Sequence, residues 1–272
     1  MTVSVDPRTK HSEYIQERTE SVRGKRGPVS FVWANHVDFQ RQKVPAAPGL
    51  WSPLPDGEAG LLVEAEASEG IVIDGRTVDG AAKLLLGRDD PASVAYFANG
   101  AEGIIFTYDH KRFAIQVWNP KSAWAQQFSH IQAFDWSPDW IIEAHIEEVT
   151  DGRTVAVSHH RNPIPVDMPL TAKATFTIDG EEQTLYSTRY GDVYNFHFTD
   201  GTSGHTSYGS GRALRIPPQN GTVMLDFNYA TLLPCSFSRA WNCPIPPMEN
   251  RLRVPIPAGE RFAIDIEGVP ML

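Results

Sequence analysis

The sequence has few cysteines, no long basic run and no long apolar stretch, and each shortage excludes a class of protein. Its 272 residues include two cysteines, Cys235 and Cys243, too few for a disulfide scaffold. A net charge of −9 without clustered Lys and Arg argues against nucleic-acid binding. No segment approaches the roughly 18 apolar residues of a membrane span, and the N-terminus lacks a signal-peptide core. We therefore expect a cytoplasmic chain without nucleic-acid or membrane partners.

Glycine, proline and aromatic residues are well represented and widely spread. The 21 Gly and 21 Pro suit many short strands joined by turns. One helix is predicted over residues 11–26, with Ser12 as its cap, and about a dozen strand-sized runs follow it. The connections are too short for repeated parallel crossovers. The sequence therefore predicts an all-β fold, an antiparallel β-sandwich or partly open barrel with one N-terminal helix.

The predicted domain organisation is simple. Residues 1–27 form a helix packed on a single β-rich domain of residues 28–272, a length that can bury a sizeable core. Three prolines within 162–171 mark a place where two sheets or two subdomains could separate. We favour the separation of two sheets.

Three hairpins are predicted from turn residues. Asp109-His110-Lys111 joins two apolar runs. Asp151-Gly152 is expected to join residues 140–149 to residues 154–159. Asp179-Gly180 suits a type I′ turn, because both residues tolerate positive φ angles.

The glycine-rich loop at 200–212 is the first candidate for chemistry. Its glycines would let the backbone turn sharply and approach a ligand. Asp200, His205, Tyr208 and Arg212 would supply an acid, a base, a phenol and a fixed cation. The alternative is an ordinary hairpin loop decorated with polar residues.

Two polar residues on the next strand form the second candidate. A strand over 222–229 would place Asp226 and Asn228 on one face, opposite an apolar set. They face either bulk water or a polar cavity in which the carboxylate acts as a base.

Nearby, Cys235 and Cys243 are interpreted as buried structural thiols. A disulfide between them is sterically conceivable but disfavoured in a reducing cytoplasm, and a metal site would need more ligands. A reactive thiol would need a neighbouring base or cation, which His205, Arg239 or Arg251 could provide.

A stiff proline-rich segment precedes the third candidate. Glu249, Asn250 and Arg251 follow Pro246-Pro247 directly, so these side chains could be held at little entropic cost. A structural ion pair between Glu249 and Arg251 is an equally good interpretation.

These motifs resemble a known family. The segments that carry the resemblance are Asp200-Gly-Thr-Ser-Gly204, Thr206-Ser-Tyr-Gly-Ser-Gly-Arg212, Leu225-Asp-Phe-Asn228, Pro234-Cys235, Cys243-Pro-Ile-Pro-Pro247, Glu249-Asn-Arg-Leu252 and Ala258-Gly-Glu260. Together they closely resemble the bacterial and archaeal domain of unknown function 1684 family, most specifically over 194–260. The family usually has an acidic residue where His205 stands and an Asn-Pro segment where residues 229–233 stand. The family name implies no activity.

The leading hypothesis is a cofactor-independent enzyme, of hydrolase, lyase or isomerase type, that acts on a small polar or anionic metabolite. The candidate catalytic residues are Asp226, His205 and Tyr208. The candidate substrate-binding residues are Arg212, Asn228, Asp200, Glu249, Asn250 and Arg251. No metal or cofactor is expected, and the sequence leaves a homodimer open. The alternatives are a non-catalytic small-molecule binding protein and a motif that merely locks the last strands together.

Overall fold

The computed structural model describes residues 6–37, 40–55, 58–86, 92–107 and 111–272. These residues form two compact units. The N-terminal unit holds residues 21–127 and 238–241, and the C-terminal unit holds residues up to 20 together with 128–237 and 242–272. Residues 162–171 fall inside one continuous strand. The single-domain organisation stays a prediction.

The N-terminal helix, α1, spans Pro7–Arg23 and begins earlier than the sequence indicated. Proline fits the first turn of a helix, because its fixed φ is helical and its missing N–H is not needed there. A helical hydrogen bond is already present at Lys10, whose N–H donates to the Asp6 oxygen at 3.1 Å. Ser12 is therefore inside the helix rather than at its cap, and its hydroxyl donates to the Arg8 oxygen. No helix in the described ranges is both long and apolar enough to cross a membrane.

The described residues of the N-terminal unit include ten strands and a short helix. They are β1 (Phe31–His36), β2 (Gln42–Val44), β3 (Ala47–Pro53), β4 (Gly60–Ala65), β5 (Ile71–Ile73), β6 (Arg76–Thr77), β7 (Gly80–Leu85), β8 (Ala95–Phe97), β9 (Glu102–Phe106), β10 (Ala114–Trp118) and α2 (Ala123–Gln127). The sheets have the orders β1-β10-β9-β8-β5-β6 and β2-β3-β4-β7. Their shared core contains Trp51, Leu61 and Ile115, all fully buried.

Ten more strands lie in the part of the C-terminal unit that the structure describes. They are β11 (Phe128–Ala133), β12 (Ile141–Glu148), β13 (Thr154–His159), β14 (Asn162–Ile178), β15 (Glu181–Tyr190), β16 (Val193–Phe198), β17 (Arg212–Ile216), β18 (Gly221–Asp226), β19 (Thr231–Leu232) and β20 (Glu260–Asp265). The main sheet has the order β18-β12-β14-β15-β16-β17-β19, and β11 pairs separately with β20. All pairings between the described strands are antiparallel. The predicted all-β fold with an N-terminal helix is confirmed.

Two of the three predicted hairpins have the expected strand pairing. Ile178 pairs with Glu181 across a two-residue turn in which Asp179 and Gly180 have φ angles of 52° and 80°. β9 and β10, on either side of Asp109-His110-Lys111, pair antiparallel as predicted, and the turn itself lies partly outside the described residues. The hairpin expected through Asp151-Gly152 is wrong, because β12 and β13 each pair with β14 instead of with each other. β14 has 17 residues, so β13 pairs with its first part and β12 with its later part.

The predicted strand over 222–229 is correct only in its first part. Leu225 is fully buried and Met224 is 56% exposed, as alternation along β18 requires. The strand then ends at Asp226, and residues Phe227–Tyr229 form a 3-10 turn. Asn228 therefore leaves the face on which the sequence placed it beside Asp226.

Candidate functional site

Asp200 and Arg212, predicted as acid and cation of the loop, form a buried ion pair. Nη2 of Arg212 lies 2.6 Å from Oδ2 of Asp200, and both side chains are fully buried. The guanidinium also donates to the main-chain oxygens of Ile256 and Ala258. The Asp200 carboxylate accepts the N–H groups of Thr202 and Ile256. These contacts fasten the loop to the segment that follows residue 255.

The glycines of this loop let the chain approach itself. A Cβ on Gly211, where φ is +84°, would lie 2.1 Å from the Phe198 oxygen. His205 is exposed at the tip of the loop. Tyr208 is half-buried and donates to the Cys235 oxygen at 3.3 Å. Burial, with the neighbouring Cys235, raises the pKa of Tyr208 above its usual range.

The third candidate, Glu249-Asn250-Arg251, has one buried residue between two exposed ones. The Asn250 amide is buried, accepts the Tyr186 N–H at 2.8 Å, and donates to the oxygens of Tyr186 and His197 at 2.7 Å each. It therefore continues the hydrogen bonding of the sheet. Glu249 and Arg251, on either side, are exposed.

Asn228 is the point at which several segments of the C-terminal unit meet. Its fully buried amide accepts the Ser137 N–H at 3.0 Å and donates to the Ser137 oxygen at 2.9 Å. It also donates to Oδ1 of Asp226, which caps the 3-10 turn. The main-chain oxygen of Asn228 accepts a hydrogen bond from Nε2 of His11 at 2.9 Å. Asn228 thus connects helix α1 to the segment after β11.

A cavity of about 550 Å³ lies beside these contacts, within the C-terminal unit. We call it the His11 cavity; its lining residues are Arg8, His11, Ser12, Ile15, Ala133, Phe134, Asp135 and Trp136. The helix residues recur at the spacing of one helix face, and the others are consecutive residues at the end of β11. None of the nine predicted site residues lines the cavity. The predicted residues instead form two local pairs, Asp200 with Arg212 and Asp226 with Asn228.

His11 is the buried titratable group of this cavity. Its side chain is 4% exposed, and Tyr229 packs edge-on against its ring. A main-chain oxygen can only accept, so Nε2 carries the proton in the bond to Asn228. In the neutral ring Nδ1 is then unprotonated, and it makes no hydrogen bond with the described residues. The fold thereby fixes a tautomer in which Nδ1 can accept a proton.

The cavity combines aromatic surface with charges of both signs. Phe134 and Trp136 are half-buried, while Arg8 and Asp135 are exposed. The Arg261 guanidinium stacks over the Phe134 ring at 4.7 Å from its centroid, and Arg212 lies at 5.7 Å. These cation–π contacts help to hold the Phe134 ring in place.

Buried polar contacts hold helix α1 in place. Arg18 donates two hydrogen bonds to the fully buried Glu260 carboxylate, at 2.9 and 3.4 Å. The Thr19 hydroxyl accepts the N–H of Ile131 at 3.1 Å. Burial, opposed by Arg18, raises the pKa of Glu260. Burial, with Glu260 nearby, raises the pKa of Tyr14 to about 12. The helix therefore docks through specific polar contacts although most of its surface is charged.

Sequence reasoning missed the helix side of the cavity. The weak apolar stripe of α1 indicated a surface helix, and nothing in the local sequence tells which distant group a lone histidine will meet. A usable signal was the recurrence of Arg8, His11, Ser12 and Ile15 on one face. Phe134 and Trp136 of the other wall belong to an aromatic-rich stretch of the sequence, and such stretches more often fill a core than line a pocket. Within the described ranges, no three His, Cys, Asp or Glu side chains lie close enough to hold a metal ion.

Comparison with known proteins identifies relatives but no activity. No functionally curated protein matches. One solved structure that matches is the solution NMR structure of an uncharacterized protein from Haloarcula marismortui; it is 30% identical, with 49% of this chain and 77% of that chain covered and a TM-score of 0.41. The model of the family described as "Protein of unknown function (DUF1684)" matches residues 126–261, half of the chain. The chain therefore belongs to the DUF1684 family.

Proposed function

We propose that this protein is a cofactor-independent enzyme that binds a small polar or anionic molecule in the His11 cavity. The observation that carries the proposal is the hydrogen bond of 2.9 Å between Nε2 of His11 and the Asn228 oxygen, because an oxygen acceptor requires the proton on Nε2. A buried imidazole with one nitrogen held and the other unpaired has the form of a general base. This proposal keeps the function expected from the sequence but assigns the chemistry to different residues.

The cavity supports a small ligand on grounds of size and surface. Its volume of about 550 Å³ lies within the range of ligand pockets. Phe134 and Trp136 offer ring faces to an apolar part of a ligand, and Arg8 offers a cation to an anionic group. Asp135 would disfavour a purely anionic ligand, so a molecule with a negative group and a neutral or positive group is favoured.

His11 would act as proton acceptor through Nδ1. Its ring is held by the Asn228 oxygen on one side and the Tyr229 ring on another, so little reorganisation is needed when a ligand binds. Asn228 would be a positioning residue, since it holds both His11 and Ser137 without lining the cavity. Proton abstraction by His11 is compatible with hydrolysis, elimination or isomerisation.

The experiment is a screen of small carboxylates, amino acids and phosphate esters by thermal shift, followed by proton NMR of each binder for turnover. We expect Arg8→Gln to weaken binding of an anionic hit by about tenfold, the worth of one charged hydrogen bond. Lys10→Gln is the matched control, because Lys10 is an exposed cation of α1 that does not line the cavity.

The decisive variant is His11→Gln. Glutamine keeps an N–H donor for the Asn228 oxygen but has no basic nitrogen. We expect turnover to fall by about a hundredfold or more with binding kept, whereas His145→Gln, at a side chain 57% exposed, should change neither. Binding without turnover in the wild type would instead favour the alternative, a non-catalytic binding protein. Equal turnover in wild type and His11→Gln would reject the assignment of His11.

A further inference from the structure

The two cysteines of the chain lie side by side in the C-terminal unit. Cys235 belongs to the 3-10 turn Pro234–Ser236, and its main-chain N–H donates to Sγ of Cys243 at 3.2 Å. Both residues are buried, at 5% and 6% exposure. The sequence indicated structural thiols; the structure places the two cysteines side by side.

A third group belongs to this pair. Tyr208 donates its hydroxyl hydrogen to the Cys235 main-chain oxygen at 3.3 Å. Tyr208 and Cys243 thus both contact Cys235. These polar neighbours distinguish the pair from thiols that have only apolar surroundings.

The two sulfurs differ in electrostatic character. The Cys243 hydrogen bond, opposed by burial, lowers the pKa of Cys235. The same hydrogen bond together with burial raises the pKa of Cys243. These directions favour Cys235 as the attacking thiol and Cys243 as the resolving thiol, an order that the single-cysteine variants below test.

We propose that Cys235 and Cys243 form a peroxide-reactive dithiol site, at which hydrogen peroxide is reduced and an intramolecular disulfide forms. The proposal rests on the 3.2 Å contact between the Cys235 N–H and Sγ of Cys243, and on the Tyr208 hydroxyl that binds the Cys235 oxygen. It does not depend on the His11 cavity, so either proposal can fail without the other.

The chemistry balances in two steps. Sγ of Cys235 attacks one peroxide oxygen, the O–O bond breaks, and the departing hydroxide leaves as water with the Cys235 proton. This step converts Cys235 to a sulfenic acid. Sγ of Cys243 then attacks the Cys235 sulfur, the S–O bond breaks, and a second water leaves with the Cys243 proton. Two sulfurs lose one electron each, one peroxide is reduced to two waters, and an external dithiol such as dithiothreitol restores the pair.

The test begins with the folded wild-type chain, so that no variant has to fold. The protein is treated with hydrogen peroxide, quenched, unfolded in N-ethylmaleimide and weighed by mass spectrometry. We expect a monomer lighter by two hydrogen atoms that takes no maleimide, and that takes two after dithiothreitol treatment. Two maleimides after peroxide treatment, at peroxide levels that oxidise free N-acetylcysteine, would overturn the proposal. So would sulfinic or sulfonic acid without a disulfide.

Two single-cysteine variants test the order of attack. In Cys243→Ser the reaction should stop at the Cys235 sulfenic acid, which dimedone traps as a stable adduct. In Cys235→Ser no dimedone adduct should form on Cys243. A dimedone adduct on Cys243 alone would contradict the assignment of Cys235 as the nucleophile. Circular dichroism of each variant establishes that the loss of reaction is not a loss of fold.

Tyr208→Phe tests the third group. Removing the hydroxyl should slow disulfide formation by about three- to tenfold, the worth of one neutral hydrogen bond. Tyr96→Phe is the matched control, since Tyr96 is 44% exposed and belongs to the N-terminal unit. Equal rates in wild type and Tyr208→Phe would remove Tyr208 from the site.

Discussion

Arg18 and Glu260 join the first helix to the last strand of the C-terminal unit, 242 residues apart in sequence, with Nε of Arg18 2.9 Å from Oε1 of Glu260. Glu260 is fully buried and also accepts the Leu232 N–H at 2.7 Å. A buried carboxylate is costly unless a cation and hydrogen bonds compensate it. This ion pair therefore holds α1, and with it one wall of the His11 cavity, against the strands of the C-terminal unit.

Removing the cation of this pair should undock the helix. We expect Arg18→Ala to lower the free energy of unfolding by about 2–4 kcal/mol, because it leaves a buried carboxylate without its partner. Urea unfolding followed by circular dichroism measures the change. Arg8→Ala, on the same helix but exposed, should cost less than about 0.5 kcal/mol. Similar losses in the two variants would show that the Arg18 contact has no special weight.

We expect the buried ion pair between Asp200 and Arg212 to contribute to the stability of the fold rather than to catalysis. We expect Asp200→Asn to cost about 3–5 kcal/mol, since it leaves a fully buried guanidinium without its charge partner. Glu249→Gln, at an exposed acid from the same set of predicted site residues, should change stability by less than about 0.5 kcal/mol. Chemical denaturation of both variants makes the comparison. A stable Asp200→Asn chain that has lost ligand binding would support the role that the sequence suggested for Asp200.

Asn228 should affect the His11 cavity without touching a ligand. Asn228→Ala removes both side-chain bonds to Ser137, and we expect a loss of about 2–3 kcal/mol, the cost of unpaired buried polar groups. We also expect faster acylation of His11 by diethyl pyrocarbonate, because the turn that holds Nε2 is loosened. Peptide mapping after acylation gives the rate at His11, with exposed His145 as the internal reference. An unchanged ratio of the two rates would separate Asn228 from the cavity.

His197 should make the protein sensitive to acid. Burial, with Arg215 nearby, lowers the pKa of His197 from 6.5 to about 3, and the neutral ring accepts the Asn195 amide at 2.9 Å. Below pH 6.5 the unfolded chain binds a proton that the folded chain accepts only near pH 3, so stability present above pH 6.5 is lost as pH falls.

The change with pH can be measured directly. Between pH 7 and pH 5 the wild type should lose about 2 kcal/mol more than His197→Gln. Urea unfolding at both values measures this difference, and His145→Gln should behave like the wild type. Parallel losses in wild type and His197→Gln would show that another group causes the acid sensitivity.

The sequence predicted the fold class because alternation and turn residues are local signals. Asp179-Gly180 defines its hairpin by itself, since both φ angles are positive and the paired strands follow directly. The pairing of β14 with β12 and β13 could not be predicted in the same way. That pairing depends on the length of β14 and on contacts between segments distant in sequence. The residues of the turn at 151–152 encode neither.

The candidate site shows the same limit more sharply. The polar, glycine-rich and proline-rich residues at 200–251 drew attention because they are unusual for a β-protein. Asp200, Arg212 and Asn250 are unusual because they replace missing main-chain hydrogen bonds between segments distant in sequence. A buried polar residue that serves structure and one that serves chemistry have the same local pattern. The two kinds of residue can be distinguished only by the group that each one binds, such as the Ser137 backbone for Asn228.

The chain order of the C-terminal unit has a consequence for synthesis. His11 contacts Asn228, 217 residues later in the sequence, and residues 24–127 of the other unit lie between helix α1 and β11 along the chain. During synthesis the helix leaves the ribosome long before the residues that it contacts, so its polar docking face is solvated until they follow. Residues 24–127 can collapse early, whereas the contacts of the His11 cavity are completed late in synthesis. A chain that stalls on the ribosome before residue 228 would contain helix α1 without Asn228, the residue that holds His11.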